Sequence, residues 1–215
     1  MRIHYYSGWF DDALPEQMIE MLRADLACRK SLAIVWGCWA LEEYVGYVKE
    51  WFDPAGIIFE EYHAIDPRMP KEEAQELVKN ASAVLMMGGE TEPMLDFIIE
   101  YGLDVSIRES KADVIMGYSA GAINMGTKWV CSKNNRYDVE ETKIIDGIGL
   151  DNFCFQPYFE TNNIPLIEND LLPLSQELDI YALTAESFMR VKSGEVAIVG
   201  EGYLVSDAKI RKMET

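Results

Sequence analysis

The sequence is poor in positive charge and in histidine. It contains 19 lysines and arginines against 37 acidic residues, which gives a formal net charge of -18, and only two histidines in 215 residues. This charge repels nucleic-acid phosphates and anionic membrane surfaces, so neither is expected as a partner. An anionic substrate would need a local cluster of cationic side chains.

Long apolar runs, leader-like segments and paired cysteines are also missing. No stretch of 18 uncharged apolar residues occurs, and the first residues do not combine a basic segment with an apolar run, which predicts a cytoplasmic protein without a membrane span. Cys28, Cys38, Cys131 and Cys154 lack the close spacing of a zinc site or a redox dithiol, so free thiols and no metal site are expected. No repeat or linker divides the chain, which predicts one domain over residues 1–215.

Short apolar runs alternate with segments of helical period along the chain. This pattern predicts an α/β fold, with a mostly parallel sheet and helices on both faces. Strands are predicted over residues 1–7, 32–36, 57–62, 83–87, 114–116, 153–156 and 203–205. Helices are predicted over residues 15–26, 40–52, 70–79, 93–101, 120–125 and 166–178. Near the C-terminus, apolar runs over 187–191 and 196–199 flank Ser193-Gly194, which predicts an antiparallel hairpin.

The segment Gly117-Tyr118-Ser119-Ala120-Gly121 is the strongest candidate for chemistry. A Gly-x-Ser-x-Gly pattern arises easily by chance, but here it follows a buried strand and precedes a helix. In that setting a sharp turn, called a nucleophile elbow, exposes the serine hydroxyl. The alternative is an ordinary tight turn with a solvated serine.

Backbone amides near this serine are candidates for an oxyanion hole. The Ala120 amide would lie at a helix N-terminus, where it can donate to a developing negative charge. Gly88-Gly89 ends the preceding strand, and the carboxyl ends of parallel strands share one edge of a sheet. Gly89 is therefore predicted as the second donor, although a tight turn before the next helix explains the same residues.

Three segments together resemble the dipeptidase E (aspartyl dipeptidase) and cyanophycinase family of serine peptidases. They are the elbow and the segments Met87-Gly88-Gly89-Glu90-Thr91 and Phe155-Gln156-Pro157-Tyr158-Phe159. The resemblance implies a flavodoxin-like fold similar to class I glutamine amidotransferase domains. It also implies that Ser119 is the nucleophile and that the Gly89 and Ala120 amides form the oxyanion hole. The expected ligand is a small peptide or an amino-acid-like molecule. No cofactor is implied.

The chain departs from this family at the residues that would activate the serine. Tyr158 stands where the resemblance predicts the catalytic histidine, and Asn134 or Asn135 stands where it predicts the acidic member of the triad. Asp138 could serve as the acid only if the alignment shifts by a few residues. Glu90 replaces a usual asparagine and places a carboxylate beside the site.

A serine hydroxyl needs a neighbouring base to take its proton. Imidazole, with a pKa of about 6.5, can do so near pH 7, whereas a tyrosine phenol, at about 10, is almost wholly protonated. Three side chains are candidate replacements. His4 is expected to be structural within the first strand, His63 is expected in a loop that could face the carboxyl edge of the sheet, and Glu90 could act if it were desolvated.

The sequence therefore predicts a site shaped for acyl transfer and poorly equipped to perform it. One hypothesis is a peptide hydrolase with a degenerate triad, and the other is a catalytically inactive binding or regulatory homologue that keeps the pocket. An amidotransferase-like domain acting on a partner is disfavoured, because that chemistry usually uses a cysteine at the elbow. A preference for aspartyl peptides is not implied, since no matching substrate-binding residues are identified.

Overall fold

Strands and helices alternate through the first half of the chain. The computed structural model describes residues 2–10, 13–37 and 43–213. The strands are β1 Ile3–Ser7, β2 Ser31–Val35, β3 Glu61–Ile65, β4 Ala83–Met86, β5 Val114–Tyr118, β6 Lys128–Cys131, β7 Lys143–Asp146, β8 Cys154–Gln156, β9 Ile180–Leu183, β10 Phe188–Lys192, β11 Glu195–Val199, β12 Gly202–Ser206 and β13 Lys209–Lys212. The helices are α1 Glu16–Asp25, α2 Glu43–Phe52, α3 Lys71–Asn80, α4 Thr91–Glu100, α5 Leu103–Arg108, α6 Ala120–Met125, α7 Ile164–Leu166 and α8 Leu172–Leu174, with a π-helical turn over Ile167–Leu171.

A seven-stranded sheet has the order β11-β10-β1-β5-β4-β2-β3. Neighbouring strands pair in parallel through the five-strand part β1-β5-β4-β2-β3. The strands β10 and β11 add an antiparallel edge beside β1. The predicted α/β fold with a mostly parallel sheet is confirmed. Because β5 and β4 are neighbours, the segments that follow Tyr118 and Met86 come together at the carboxyl edge of the sheet.

Both faces of the central sheet are buried under helices. One face packs against α1 and α2 through Met18, Leu22 and Phe52, and the other packs against α3 to α6 through residues such as Val78 and Ile98. A second sheet, of order β13-β12-β9-β8, continues the core on the α6 side. In the described part of the chain, no helix has the length and apolar character needed to cross a membrane.

The predicted third strand, over residues 57–62, is wrong in its position. Ile57 and Phe59 are buried because they pack beneath α2, where the Phe59 ring lies 6.2 Å from the Phe52 ring. The true strand β3 is Glu61–Ile65, an edge strand whose exposure explains its polar composition. Burial of a connecting segment and burial of a strand produce similar apolar runs, which is why the sequence misled here.

The C-terminal part shows one confirmed prediction and one correction. The predicted hairpin is present as β10 and β11, with Ser193 and Gly194 both at positive φ, 55° and 81°, as a tight two-residue turn requires. The predicted helix over 166–178 is instead the shorter run from Ile164 to Leu174, interrupted by the π-helical turn. The predicted start of α2 at Ala40, and Cys38, lie outside the described residues.

Several elements have no counterpart in the sequence prediction. These are α5, the hairpin of β6 and β7, and the strands β9 and β13 of the second sheet. Most are short, and β7 and β13 are largely exposed, so neither an apolar run nor a clear period marks them.

Candidate active site

Ser119 lies at a sharp turn between β5 and α6. Its backbone has φ 50° and ψ -114°, a conformation that residues other than glycine rarely adopt. Its amide donates to the Ser7 carbonyl at 2.8 Å, and its carbonyl accepts from the Ile123 amide at 2.9 Å. These two bonds attach the turn to the end of β1 and to α6. The half-buried Ser119 side chain lies at the wall of a pocket.

Two glycines of the turn are required by close packing. A Cβ atom on Gly121 would lie 2.1 Å from the Met86 carbonyl oxygen, and one on Gly117 would lie 2.6 Å from the Ala122 Cα. Real Cβ atoms do not make such contacts with backbone. The pattern of small residues therefore reflects how tightly α6 packs on the ends of β4 and β5.

The end of β4 lies directly beside Ser119. A Cβ atom on Gly88 would be 3.4 Å from the Ser119 Cβ, and Gly89 follows with a φ of 141°. The amide of Ala120 is at the first position of α6, where an amide has no acceptor within its helix. Glu90, next in the chain, is exposed at the start of α4, so it is not the desolvated carboxylate that would be needed to act as a base near pH 7.

Tyr158 lies at the same pocket but is bonded elsewhere. Its phenol oxygen accepts the Trp9 amide at 2.7 Å, and its ring lies 4.4 Å from the guanidinium carbon of Arg136. The hydroxyl of Ser119 makes no hydrogen bond to any other residue that the structure describes. The position where the resemblance predicts a base therefore holds a side chain that braces the loop after β1.

The two candidate replacements for the triad acid separate in space. Asn134 donates its side-chain amide to Asp170 at 3.0 Å, within a cluster that also contains the Ser132 hydroxyl. Asp170 is buried in the π-helical turn, so this cluster joins the segment after β6 to the α7–α8 run. Asn135 and Asp138 instead line the pocket that contains Ser119.

Neither histidine is placed to activate Ser119. His4 pairs in register with Ile115, four residues before the turn, and its Nδ1 lies 2.6 Å from a carboxylate oxygen of Asp151. The sequence placed His63 in a loop, but it lies within β3 and contacts Glu61. Because β2 and β4 separate β3 from β5, about 14 Å of sheet lies between these strands.

Ser119, Gly89 and Tyr158 line two adjoining pockets. The larger has a volume of about 580 Å³, and its wall includes four charged side chains: Glu90, Glu92, Arg136 and Asp138. The smaller, of about 330 Å³, is completed by Trp9, Trp36 and Gly88. The sequence analysis did not identify Arg136 or Trp9 as site residues. The one signal in the sequence was that Arg136 directly follows Asn134-Asn135.

Two weak acids in the larger pocket stay protonated near neutral pH. Burial raises the pKa of Tyr137 to about 12, and its hydroxyl lies 3.2 Å from the Thr91 hydroxyl at the start of α4. Burial and the neighbouring Glu92 carboxylate raise the pKa of the Cys131 thiol. A protonated thiol is a poor nucleophile, so Cys131 does not replace Ser119 as the reactive group.

Comparison with known proteins now places the chain. The sequence model of peptidase family S51 matches residues 37–199, which include Ser119 and every lining residue of the larger pocket, whereas Trp9 and Trp36 of the smaller pocket precede the match. The chain belongs to peptidase family S51. This S51 chain is similar to Peptidase E of Nostoc sp. (strain PCC 7120), with 23% identity over 169 residues, 74% of the chain and 66% of that relative's length.

Two solved structures share the fold of this S51 chain. A crystal structure of a peptidase from an acI-B1 Actinobacterium aligns with a TM-score of 0.71 and 19% identity, over 99% of the chain and 94% of that structure. A candidate peptidase E of Listeria monocytogenes EGD-e aligns with a TM-score of 0.64 and 17% identity, over 93% of the chain and 98% of that structure. At these identities the similarity concerns the fold.

Proposed function

We propose that the chain is a serine-peptidase-like hydrolase, similar to peptidase E, which cleaves a small peptide through Ser119 with a degenerate triad. The observation that carries this proposal is the strained strand-to-helix turn that holds Ser119 where two pockets meet. Membership of family S51 supports the reaction class.

In this proposal the Ser119 oxygen attacks the peptide carbonyl carbon. The carbonyl oxygen becomes negatively charged, and the amides of Ala120 and Gly89 donate hydrogen bonds to it. The amine leaves with a proton, and water then releases the acid from the serine ester. Each proton transfer needs a carrier, which the triad histidine would supply in an intact site.

The incomplete triad makes the expected reaction slow. Tyr158 is a phenol engaged with the Trp9 amide, and no imidazole reaches Ser119 from the described residues. Loss of a triad base removes several orders of magnitude of rate in serine hydrolases, while oriented binding and an oxyanion hole preserve part of it. Removal of the proton from the Ser119 hydroxyl would then depend on solvent hydroxide.

A second candidate function is a binding or regulatory homologue without turnover. The contact that favours this function is the 2.7 Å hydrogen bond from the Trp9 amide to the Tyr158 phenol. Through this bond, the residue at the position where a catalytic histidine is expected becomes part of the pocket wall. In this case the Ser119 turn serves only to shape the pocket.

A fluorophosphonate label distinguishes the two functions. If Ser119 reacts without a histidine, its labelling rate should keep rising from pH 6 to pH 9, by up to about tenfold per pH unit, instead of levelling off above pH 7. Mass spectrometry of the labelled peptide measures the rate, and Ser119→Ala is the control. Absence of Ser119 labelling at pH 9 in the folded protein would favour the binding homologue.

A further inference from the structure

The Arg136 guanidinium faces the larger pocket without a partner of opposite charge among the described residues. Its contact is with the face of the Tyr158 ring, at 4.4 Å from the ring centroid. A guanidinium held over an aromatic ring by cation–π attraction still has N–H groups with which to bind a carboxylate. The Tyr158 phenol also accepts a hydrogen bond from the Trp9 amide, which positions the ring that Arg136 contacts.

Acidic side chains occupy the rest of the charged wall. Glu90, Glu92 and Asp138 are exposed, line the same pocket, and form no ion pair with Arg136. Together with Arg136 they leave the wall with an excess of negative charge. A ligand that carries both a carboxylate and an ammonium group fits this wall, whereas a second carboxylate on the ligand would be repelled.

The smaller pocket, which shares Ser119 with the larger one, has an uncharged, aromatic wall. Trp9 is held there by stacking on Tyr47, with ring centroids 5.7 Å apart and planes within 10° of parallel. Trp36 and the Tyr158 ring complete the wall, and the glycines beside Ser119 leave room. Such a surface binds a large apolar side chain through burial and ring contacts.

We propose that the two pockets bind a short peptide whose free carboxylate contacts Arg136 and whose large apolar side chain lies against Trp9. The peptide bond between these two groups then lies at Ser119. This inference rests on the proposed function, because it assigns the substrate class of the same site. Arg136 is the residue that determines specificity for the free carboxylate.

Calorimetric binding to the Ser119→Ala protein tests this substrate class without turnover. The dipeptide Phe-Ala is expected to bind at least about tenfold more tightly than Phe-Ala amide, since only the acid offers a carboxylate to Arg136. It is also expected to bind more tightly than Asp-Ala, whose side-chain carboxylate would enter the uncharged aromatic pocket, where it loses hydration and meets no cationic lining residue.

Adding Arg136→Gln should lower the affinity for Phe-Ala to that of its amide and leave the affinity for the amide unchanged. Arg211→Gln, at an exposed arginine of β13, is the matched control and should change neither affinity. Equal binding of acid and amide, no binding of either, tighter binding of Asp-Ala, or an equal effect of Arg136→Gln on acid and amide would each overturn the proposal. The binding test uses the Ser119→Ala protein, so its result does not depend on reaction at Ser119. If labelling of Ser119 fails while these binding differences are observed, the proposed nucleophile is wrong and the proposed ligand class stands.

Discussion

Ser119 and Tyr158 both have backbone conformations that residues other than glycine seldom adopt. Their φ angles are 50° and 55°, and such conformations cost about 1–3 kcal/mol each. They persist because other contacts fix them: the Ser119 amide binds the Ser7 carbonyl, and the Tyr158 phenol accepts the Trp9 amide. The strain is therefore located at the two side chains that line both pockets.

Restoring a base and its acid should increase the reactivity of Ser119. We expect Tyr158→His combined with Asn135→Asp to raise the Ser119 labelling rate at pH 7 at least tenfold, which corresponds to about 1.4 kcal/mol of barrier. Asn135 is chosen because its side chain lines the pocket that Tyr158 shares. Either change alone should help less, since triad members act as a unit.

Asn134→Asp in the same Tyr158→His background is the matched control. It would place a carboxylate beside Asp170, where Asn134 now donates a hydrogen bond, so repulsion should destabilise the fold without aiding Ser119. A folded Tyr158→His, Asn135→Asp protein that labels no faster than the parent would show that the pocket lacks more than a base and its acid.

At the scale of elements, the contact of α6 with the end of β4 positions the site. We expect Gly121→Ala to lower the free energy of unfolding by about 3 kcal/mol or to prevent folding, because its Cβ would lie 2.1 Å from the Met86 carbonyl oxygen. Urea denaturation followed by circular dichroism measures the change.

Gly46→Ala provides the comparison for this substitution. Gly46 is exposed in α2, and among the described residues no atom outside its chain neighbours and the backbone of its own helix lies within 4 Å of a Cβ built on it. Alanine should therefore stabilise the helix by about 0.5–1 kcal/mol. If both alanine variants shifted stability by the same amount and sign, the close approach of α6 to β4 would not be what limits residue 121.

At the scale of the whole molecule, a buried ion pair joins the first helix to the C-terminal hairpin. Asp25, at the end of α1, accepts hydrogen bonds from Tyr5 on β1 and from Arg190 on β10, all at 2.6 Å. Burial by itself would raise the pKa of Asp25, but the hydrogen bonds from Arg190 and Tyr5 lower it below its ordinary value. Residues separated by most of the chain are thus held at one end of the sheet.

Replacing this carboxylate should destabilise the protein in a pH-dependent manner. We expect Asp25→Asn to lower the free energy of unfolding by about 3 kcal/mol at pH 7, since it leaves Arg190 without its partner. A lowered folded pKa means that the contribution is complete above the ordinary carboxyl pKa of about 4 and is lost as pH falls through the folded value. Urea titrations from pH 7 to pH 3 should show the wild-type advantage shrinking.

Glu109→Gln breaks the exposed pair with Lys79 and serves as the control. Such pairs contribute about 0–1 kcal/mol, so its effect should be small at any pH. A constant difference between wild type and Asp25→Asn across the pH range would contradict the ionic role of Asp25.

Local patterns were enough to predict the architecture and the turn. Apolar runs alternating with helical periods predicted the parallel sheet, and the residues Gly117 to Gly121 predicted where Ser119 would lie, because these features depend on neighbours in sequence. The Ser193-Gly194 turn was predictable for the same reason. The resemblance predicts a histidine at position 158, and the residue there is a tyrosine.

What the amino-acid sequence by itself determined was therefore the fold class, the serine at the strand-to-helix turn and the presence of Tyr158 where the resemblance predicts a histidine. Only the tertiary structure decided that Asn134 bonds to Asp170 while Asn135 lines the pocket, that His63 lies within an edge strand, and that the Arg136 guanidinium lies over the Tyr158 ring. The physical reason is that each of these contacts depends on strand order and loop path. Those bring together residues far apart in the chain, and no local period records their approach.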